Sequence, residues 1–350
     1  DLFSDRHEVL YVKGSGWDLE TIEAEGFSPV RLDVLLRLAR LPSLTDSDMV
    51  HAQRGALLNP SAPNPSVEAI LHAIIPYRFV DHSHSDAVVT LTNTVQGEER
   101  IRSLYGNRVL IVPYVMPGFE LAKKVAEMTL ETDWSELQGM ILMNHGLFTF
   151  SDDAKCSYDA MVQLVTEAEL EIGTRTTPDV VATKLCTLEL ANLRSVVSHT
   201  AGFPMLARIS QSDGSQDFTR RSNVADIATR GPLTPDHVIR TKRVPLIVEG
   251  DFTEALARYT QDYEDYFSRH SSDHHTRLDS APRWAVWPGQ GIVSFGRSLK
   301  DLHVVGDIVE HTCSAIVDGE YLGGWRALPA EDIFAVEYWE LEQAKLKKSG

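Results

Sequence analysis

The sequence has few cysteines, a deficit of positive charge and no long apolar run. Its cysteines are Cys156, Cys186 and Cys313. Three thiols so widely spaced build no disulfide framework. They suit a reducing, cytoplasmic compartment, and the expectation is three buried thiols acting as small apolar groups. Lys and Arg number 33 against 50 Asp and Glu, a net charge of −17. That excess repels phosphate backbones and anionic lipid, which argues against nucleic acid or a membrane surface as partner. A small anionic substrate stays open, because a pocket can be locally positive. Apolar stretches such as Gly139 to Met143 and Val244 to Val248 are too short to cross a bilayer. No charged-then-apolar leader opens the residues given, so no secretion signal is expected among them, and the native start is expected upstream of Asp1. There is no Walker loop and no G-x-G-x-x-G after a strand, so nucleotide binding is not expected.

What is present is an ordinary globular composition. The 350 residues are 43% hydrophobic and 24% charged, enough for one large domain or two coupled ones. Val9 to Val12 reads as a strand that ends in Lys13-Gly14-Ser15-Gly16. Helices are predicted at Arg31 to Ala39, at Asp46 to Leu58 and, after a proline-rich loop, at Ser66 to Ile75. Strands are predicted at Phe79 to Asp81, Val109 to Val112, Met140 to Met143 and Leu147 to Phe150, with helices at Phe119 to Leu130 and Asp153 to Thr174. Strands alternating with helices indicate an α/β layer architecture. The polar stretch Ser210 to Arg221 reads as a surface insertion or boundary. Order returns at Val244 to Val248, at a helix from Phe252 to Tyr266, and at a strand–helix unit from Gly291 to Ile316. Asn144-His145-Gly146-Leu147 and Gly289-Gln290-Gly291-Ile292 each lead through a strand into a helix. In a degenerate repeat, Gln290 would stand where His145 stands.

The sharpest local feature is His82-x-His84. In an extended segment side chains two apart share a face, so both imidazoles can reach one Zn²⁺. A catalytic zinc needs a third protein ligand and an open position, and His145, at a strand end, is the candidate for the former. Glu68, read as lying in the first turn of a helix, is favoured there by the helix dipole and also suits a general base beside a metal. Ser66 and the Lys13-Gly14-Ser15-Gly16 loop offer hydroxyls, backbone N–H groups and one cation, a set able to hold a phosphate. His237 is a further cleft candidate. His274 and His275 read as solvated, and Trp284, Trp287 and Trp325 as core or contact aromatics.

In this order, Pro65-Ser66-Val67-Glu68, His82-Ser83-His84 and Asn144-His145-Gly146-Leu147 resemble the class II aldolase/adducin family. Its members include zinc-dependent aldolases of fuculose and rhamnulose phosphates, ribulose-phosphate epimerases and the non-enzymatic adducins. Val12-Lys13-Gly14-Ser15-Gly16, Met116-Pro117-Gly118, Gly231 to His237 and Glu337-Tyr338-Trp339 are similar to the aldolase part of the bifunctional rhamnulose-1-phosphate aldolase/alcohol dehydrogenase proteins. The resemblance implies a three-layer α/β/α sandwich of the class II aldolase type over residues 1–200, with a C-terminal extension over 201–350 packed on it. It implies His82, His84 and His145 as ligands of Zn²⁺ or another divalent metal, Glu68 as the catalytic acid/base, and Ser15, Gly16 and Ser66 as the substrate-phosphate site. A second acid at the aldehyde oxygen is implied, with Tyr114, Tyr321 and Tyr338 as candidates. The implied activity is cleavage of a ketose 1-phosphate to dihydroxyacetone phosphate and an aldehyde by a cytoplasmic homo-oligomer, a tetramer in related aldolases. Epimerase, dehydratase or decarboxylase chemistry, or an adducin-like scaffold, are the alternatives. The family's Gly-Asn-x-Ser element is expected upstream of Asp1, and the dehydrogenase part of the bifunctional proteins has no counterpart in these residues, so no aldehyde oxidation is expected of them.

Overall fold

Val12 and Val30 face inward while Tyr11 and Phe27 face solvent, the period-2 pattern of strands with one buried face. They belong to Val9–Lys13 (β1) and Phe27–Arg31 (β2), an antiparallel pair in register from Val9 opposite Arg31 to Lys13 opposite Phe27. The computed structural model describes residues 6–174 and 187–343, so Cys186 lies outside the described residues. Three helices follow: Leu32–Leu38 (α1), Asp46–Gly55 (α2) and Ala69–Ile74 (α3). Thr45 caps α2 by accepting the Asp48 N–H at 3.1 Å.

A four-stranded sheet comes next. Its strands are Phe79–Ser83 (β3), Val109–Val112 (β4), Gly139–Leu142 (β5) and Gly146–Ser151 (β6), in the spatial order β3-β6-β5-β4. Helices Asp86–Thr92 (α4) and Gly97–Tyr105 (α5) connect β3 to β4, Phe119–Met128 (α6) connects β4 to β5, and Ala154–Ile172 (α7) follows β6. Leu164 and Ala168 of α7 are fully buried.

After Thr187–Ala201 (α8), a second sheet is built from Leu206–Ser210 (β7), Leu246–Ile247 (β8), Trp284–Trp287 (β9) and Gly291–Gly296 (β10), in the order β7-β10-β9-β8. Helices Asp213–Thr219 (α9), Val224–Ala228 (α10) and Val238–Thr241 (α11) connect β7 to β8, and Phe252–His270 (α12) connects β8 to β9. Leu299–Tyr321 (α13) follows β10, and Ala330–Glu337 (α14) comes after it. β10 is antiparallel to both β7 and β9, whereas β8 and β9 are parallel. The expected α/β class therefore holds, and the two sheets share one strand order: first, fourth, third, second in chain sequence. Local bonds repeat as well. His145 N–H donates to Leu142 O at 3.2 Å, and Gln290 N–H donates to Trp287 O at 2.9 Å.

Two compact units emerge from the packing, interleaved in sequence. One comprises 1–82, 107–141 and 148–162; the other comprises 83–106, 142–147 and 163–350. In the second, Phe218, Trp284, Val286, Ile292, Val309, Ile316 and Trp325 form one buried cluster, so Trp284 and Trp325 are core as expected. Burying each such side chain contributes about 1.5–3 kcal/mol.

Several local expectations need correction. The stretch Ser210 to Arg221 is no surface insertion: it ends β7 and forms α9, with Phe218 and Gln216 buried. Its polar look comes from side chains that bond within the fold, such as Gln216 Nε2 donating to Gln290 O at 2.9 Å. Cys313 is buried, but Cys156 is exposed on α7, so the thiols are not uniformly core groups. Glu68 is the N-cap residue of α3, with φ −92° and ψ 10°, and not a member of its first turn.

Candidate metal centre

His82 and His84 sit at the end of β3 on one continuous strand direction, so the alternation of an extended chain puts both rings on one side. Asp81, one residue before His82 and so on the opposite side of the strand, accepts the Ser157 hydroxyl at 2.6 Å. This bond fixes the strand against α7 and with it the direction of its neighbours. The His82 ring stacks on Phe148 with centroids 4.0 Å apart and planes at 14°. Its Nε2 is 3.3 Å from Glu68 Oε2. Beneath it lies His72, edge-on to Phe148 at 5.2 Å. Burial, helped by His82, pushes the His72 imidazole down to about 3, so that ring stays neutral.

His145 enters from the turn between β5 and β6. Asn144 holds φ 59°, a left-handed conformation that asparagine tolerates better than most residues. Its N–H donates to Thr92 Oγ1 at 3.2 Å, and its Nδ2 donates to Asn93 Oδ1 at 2.6 Å. Gly146 is required for a different reason. A Cβ there would stand 2.4 Å from Ser83 O and 3.1 Å from His84 Cδ2. The missing side chain lets the turn approach the β3 end, and Gly146→Ala would displace the His84 ring. His145 is 2% exposed and meets His84 edge-on at 4.7 Å.

Among the described residues, His82, His84 and His145 form the group with metal-ligand spacing, their ligand atoms all within 4.8 Å of one another. The donor set fits a divalent metal. Three neutral imidazoles suit zinc and leave a fourth position open, with a carboxylate beside one of them. The sequence reading missed Asp236, whose Oδ2 is 3.9 Å from His84 Nδ1. At 3.9 Å the two are beyond hydrogen-bond distance, so Asp236 places a charge beside the ring without an observed bond to it. Neighbouring His237, the residue singled out from sequence, is pushed down to about 4 by burial, with Asp236 opposing, and is a neutral ring. The signal for Asp236 was only that it precedes His237. Its partner is 152 positions away in the numbering, Asp236 against His84.

The phosphate candidates are gathered at the other motif. Ser15 N–H donates to Asn64 O at 2.8 Å and Ser66 N–H to Lys13 O at 3.0 Å, so the Lys13–Gly16 loop is stapled to the segment that precedes Glu68. Gly16 has φ 86°, which glycine adopts freely. Ser66 Oγ accepts the Glu68 N–H at 3.2 Å. The tyrosine candidates differ in exposure. Tyr321 is 69% exposed with Arg221 over its ring, and Tyr338 is buried and bonded to Tyr263 at 2.8 Å. Tyr114 is half-buried.

Comparison with known proteins decides the family. Residues 3–172 match the model for the class II aldolase and adducin N-terminal domain, and residues 184–346 match that for the second domain of class II aldolase. The chain belongs to the class II aldolase/adducin family. A Bacillus subtilis (strain 168) relative, described as the uncharacterised oxidoreductase YuxG, is 30% identical over 97% of this chain and 52% of its own length. A methylthioribulose-1-phosphate dehydratase from Alcanivorax borkumensis is 29% identical over 33% of this chain and 63% of its own. The chain therefore spans about half to under two thirds of these curated relatives. A solved class II aldolase domain from Thermoplasma acidophilum is 43% identical over 47% of this chain and 75% of its own, with a TM-score of 0.43. Among the described residues, no helix is long and apolar enough to cross a membrane.

The shared strand order shows what the second sheet has in place of this site. A Cβ on Gly291 would stand 2.3 Å from Ser210 O, just as one on Gly146 would meet Ser83 O. With Gly291 matching Gly146 and Ser210 matching Ser83, the three histidines correspond to Ile209, Gln211 and Gln290. None of the three is a zinc ligand of the usual kind.

Proposed function

We propose that this family member is a zinc-dependent carbon–carbon lyase that cleaves a ketose 1-phosphate of the rhamnulose 1-phosphate type to dihydroxyacetone phosphate and an aldehyde. The observation that carries the reading is the convergence of three imidazoles with Glu68 Oε2 3.3 Å from His82 Nε2. A bound zinc would act as a Lewis acid toward the negative charge that develops on the ketone oxygen as the bond breaks. His82, His84 and His145 would hold it, and being neutral they would leave its charge undiminished. Glu68 would deliver the proton to the carbon left behind on the ketone half and remove it in the reverse direction. Ser15, Gly16 and Ser66 would bind the phosphate through hydroxyl and backbone donors, with Lys13 adding charge. That the loop is bonded to the Ser66 segment supports this assignment. Asp236 would add negative charge beside His84. The assembly proposed is a homo-oligomer, read by light scattering at assay concentration.

A dehydratase reading of the same site is favoured by one observation, the relative named as a methylthioribulose-1-phosphate dehydratase. Both reactions use a ketose 1-phosphate and move a proton at the carbon beside its ketone, after the carbon–carbon bond breaks in the lyase and before water leaves in the dehydratase. A panel of ketose 1-phosphates separates them. Triose phosphate release, stopped by a chelator and restored by zinc or cobalt, is the expected result. Loss of water without carbon–carbon cleavage would replace the lyase by the dehydratase. No turnover of any panel member by protein with full metal content would contradict both.

A further inference from the structure

Far from the histidine motif in sequence, the second compact unit contains a cavity of about 1310 Å³. Its lining includes none of the metal or phosphate candidates, and none of Ile209, Gln211 or Gln290. It lies at the Gly296 end of β10, whereas the positions matching the histidines lie at the Gly291 end. The charge of its wall runs against that of the chain. Five Arg and Lys side chains face four carboxylates there, in a molecule with 33 basic and 50 acidic residues. Of these groups Asp279 is bonded to Arg283 at 2.9 Å, and Arg277 is paired with Glu264 at 2.8 Å, which leaves Arg240, Lys242 and Arg297 as the cations for a ligand. Arg297 stacks on Phe203 at 3.6 Å, which leaves its N–H edge for another acceptor. The remaining wall carries half-buried Phe203, Ile239 and Val304 and the imidazoles of His270, His274 and His275.

Lys242 on this wall is the most unusual residue of the unit. Its backbone has φ 63° and ψ 170°, a region that is essentially reserved for glycine. The conformation is imposed by its surroundings: Lys242 N–H donates to Val238 O at 2.8 Å, and Thr241 Oγ1 donates to Lys242 O at 3.0 Å. Its side chain is 4% exposed, with Nζ 2.8 Å from Tyr263 OH and 3.7 Å from Glu337 Oε1. Burial pushes this ammonium down to about 8, against the pull of Glu337. Strain kept at a buried cation on a cavity wall is the kind of arrangement that binding sites maintain.

We propose that this cavity is a second ligand site, for a small organic oxyanion with an apolar body, held by Arg240, Arg297 and Lys242. Such a ligand presents either a phosphate ester or a carboxylate, and its oxygens meet the cations while its body lies against Phe203, Ile239 and Val304. None of the metal or phosphate candidates takes part in it.

The test uses the full chain with its metal and an anionic fluorophore, anilinonaphthalene sulfonate, followed by fluorescence. Saturable binding is expected, unaffected by chelator, with displacement by pyrophosphate or by citrate. Displacement by pyrophosphate assigns the phosphate ester and displacement by citrate the carboxylate. The R240A/R297A variant, altered at an exposed and a half-buried position, is expected to bind the competing anion at least tenfold more weakly with an unchanged circular dichroism spectrum. Lys242→Met serves as the second variant, with the same direction of effect. Unsaturable dye binding, no displacement by either anion, or unchanged affinity in R240A/R297A would overturn the proposal.

Discussion

Glu68→Gln is expected to keep the metal and the fold and to lower kcat by about 10²- to 10⁴-fold, the contribution usual for a positioned acid/base. The substitution is close to isosteric. It leaves the N-cap backbone and its bond to Ser66 Oγ in place, because that bond uses the Glu68 N–H. What disappears is a carboxylate 3.3 Å from His82 Nε2 that can carry a proton. Metal content by elemental analysis, measured beside kcat, separates proton transfer from ligation. Near-normal kcat would remove Glu68 from the reaction. Lost metal would make it a ligand first and a base second.

His145→Gln should lose both metal and turnover. A two-histidine remnant gives up more than the 10- to 100-fold in affinity that outer-shell changes typically cost. The several kcal/mol of charge stabilisation a metal supplies correspond to about a thousandfold in rate, at 1.36 kcal/mol for each factor of ten. Glutamine is the informative replacement, because the second sheet already carries Gln290 at the matching turn, with the same backbone bond to the residue three before it. The turn should therefore fold. A variant that retains a full equivalent of metal and its activity would place the metal elsewhere.

Much of this site was legible in the sequence because it depends on local geometry. His82 and His84 share a face by strand alternation alone, and Asn144-His145-Gly146 carries the left-handed residue and the side-chain-free position a close turn needs. The strand Val109 to Val112 matches its predicted bounds. The helix α4 was not legible. Its Ala87-Val88-Val89-Thr90-Leu91-Thr92 run is rich in β-branched residues, which favour strands, and complete burial overrides that preference. Ser85-Asp86 was the cue available for its start. Asp236 was invisible for another reason: the fold brings it within 3.9 Å of His84, an encounter that no spacing encodes. Lys242 likewise looks like any surface lysine in sequence, and only the backbone angle and the burial of its side chain set it apart.

The most direct test of the three-histidine centre is X-ray absorption at the zinc edge on the unmodified chain loaded with zinc, together with the metal stoichiometry. One zinc per chain is expected, surrounded by nitrogen and oxygen at about 2.0–2.1 Å with the multiple-scattering pattern of imidazole. A second equivalent is not expected, since Ile209, Gln211 and Gln290 stand where the second sheet would need histidines. Sulfur at about 2.3 Å, or a zinc shell without imidazole, would contradict the assignment of His82, His84 and His145.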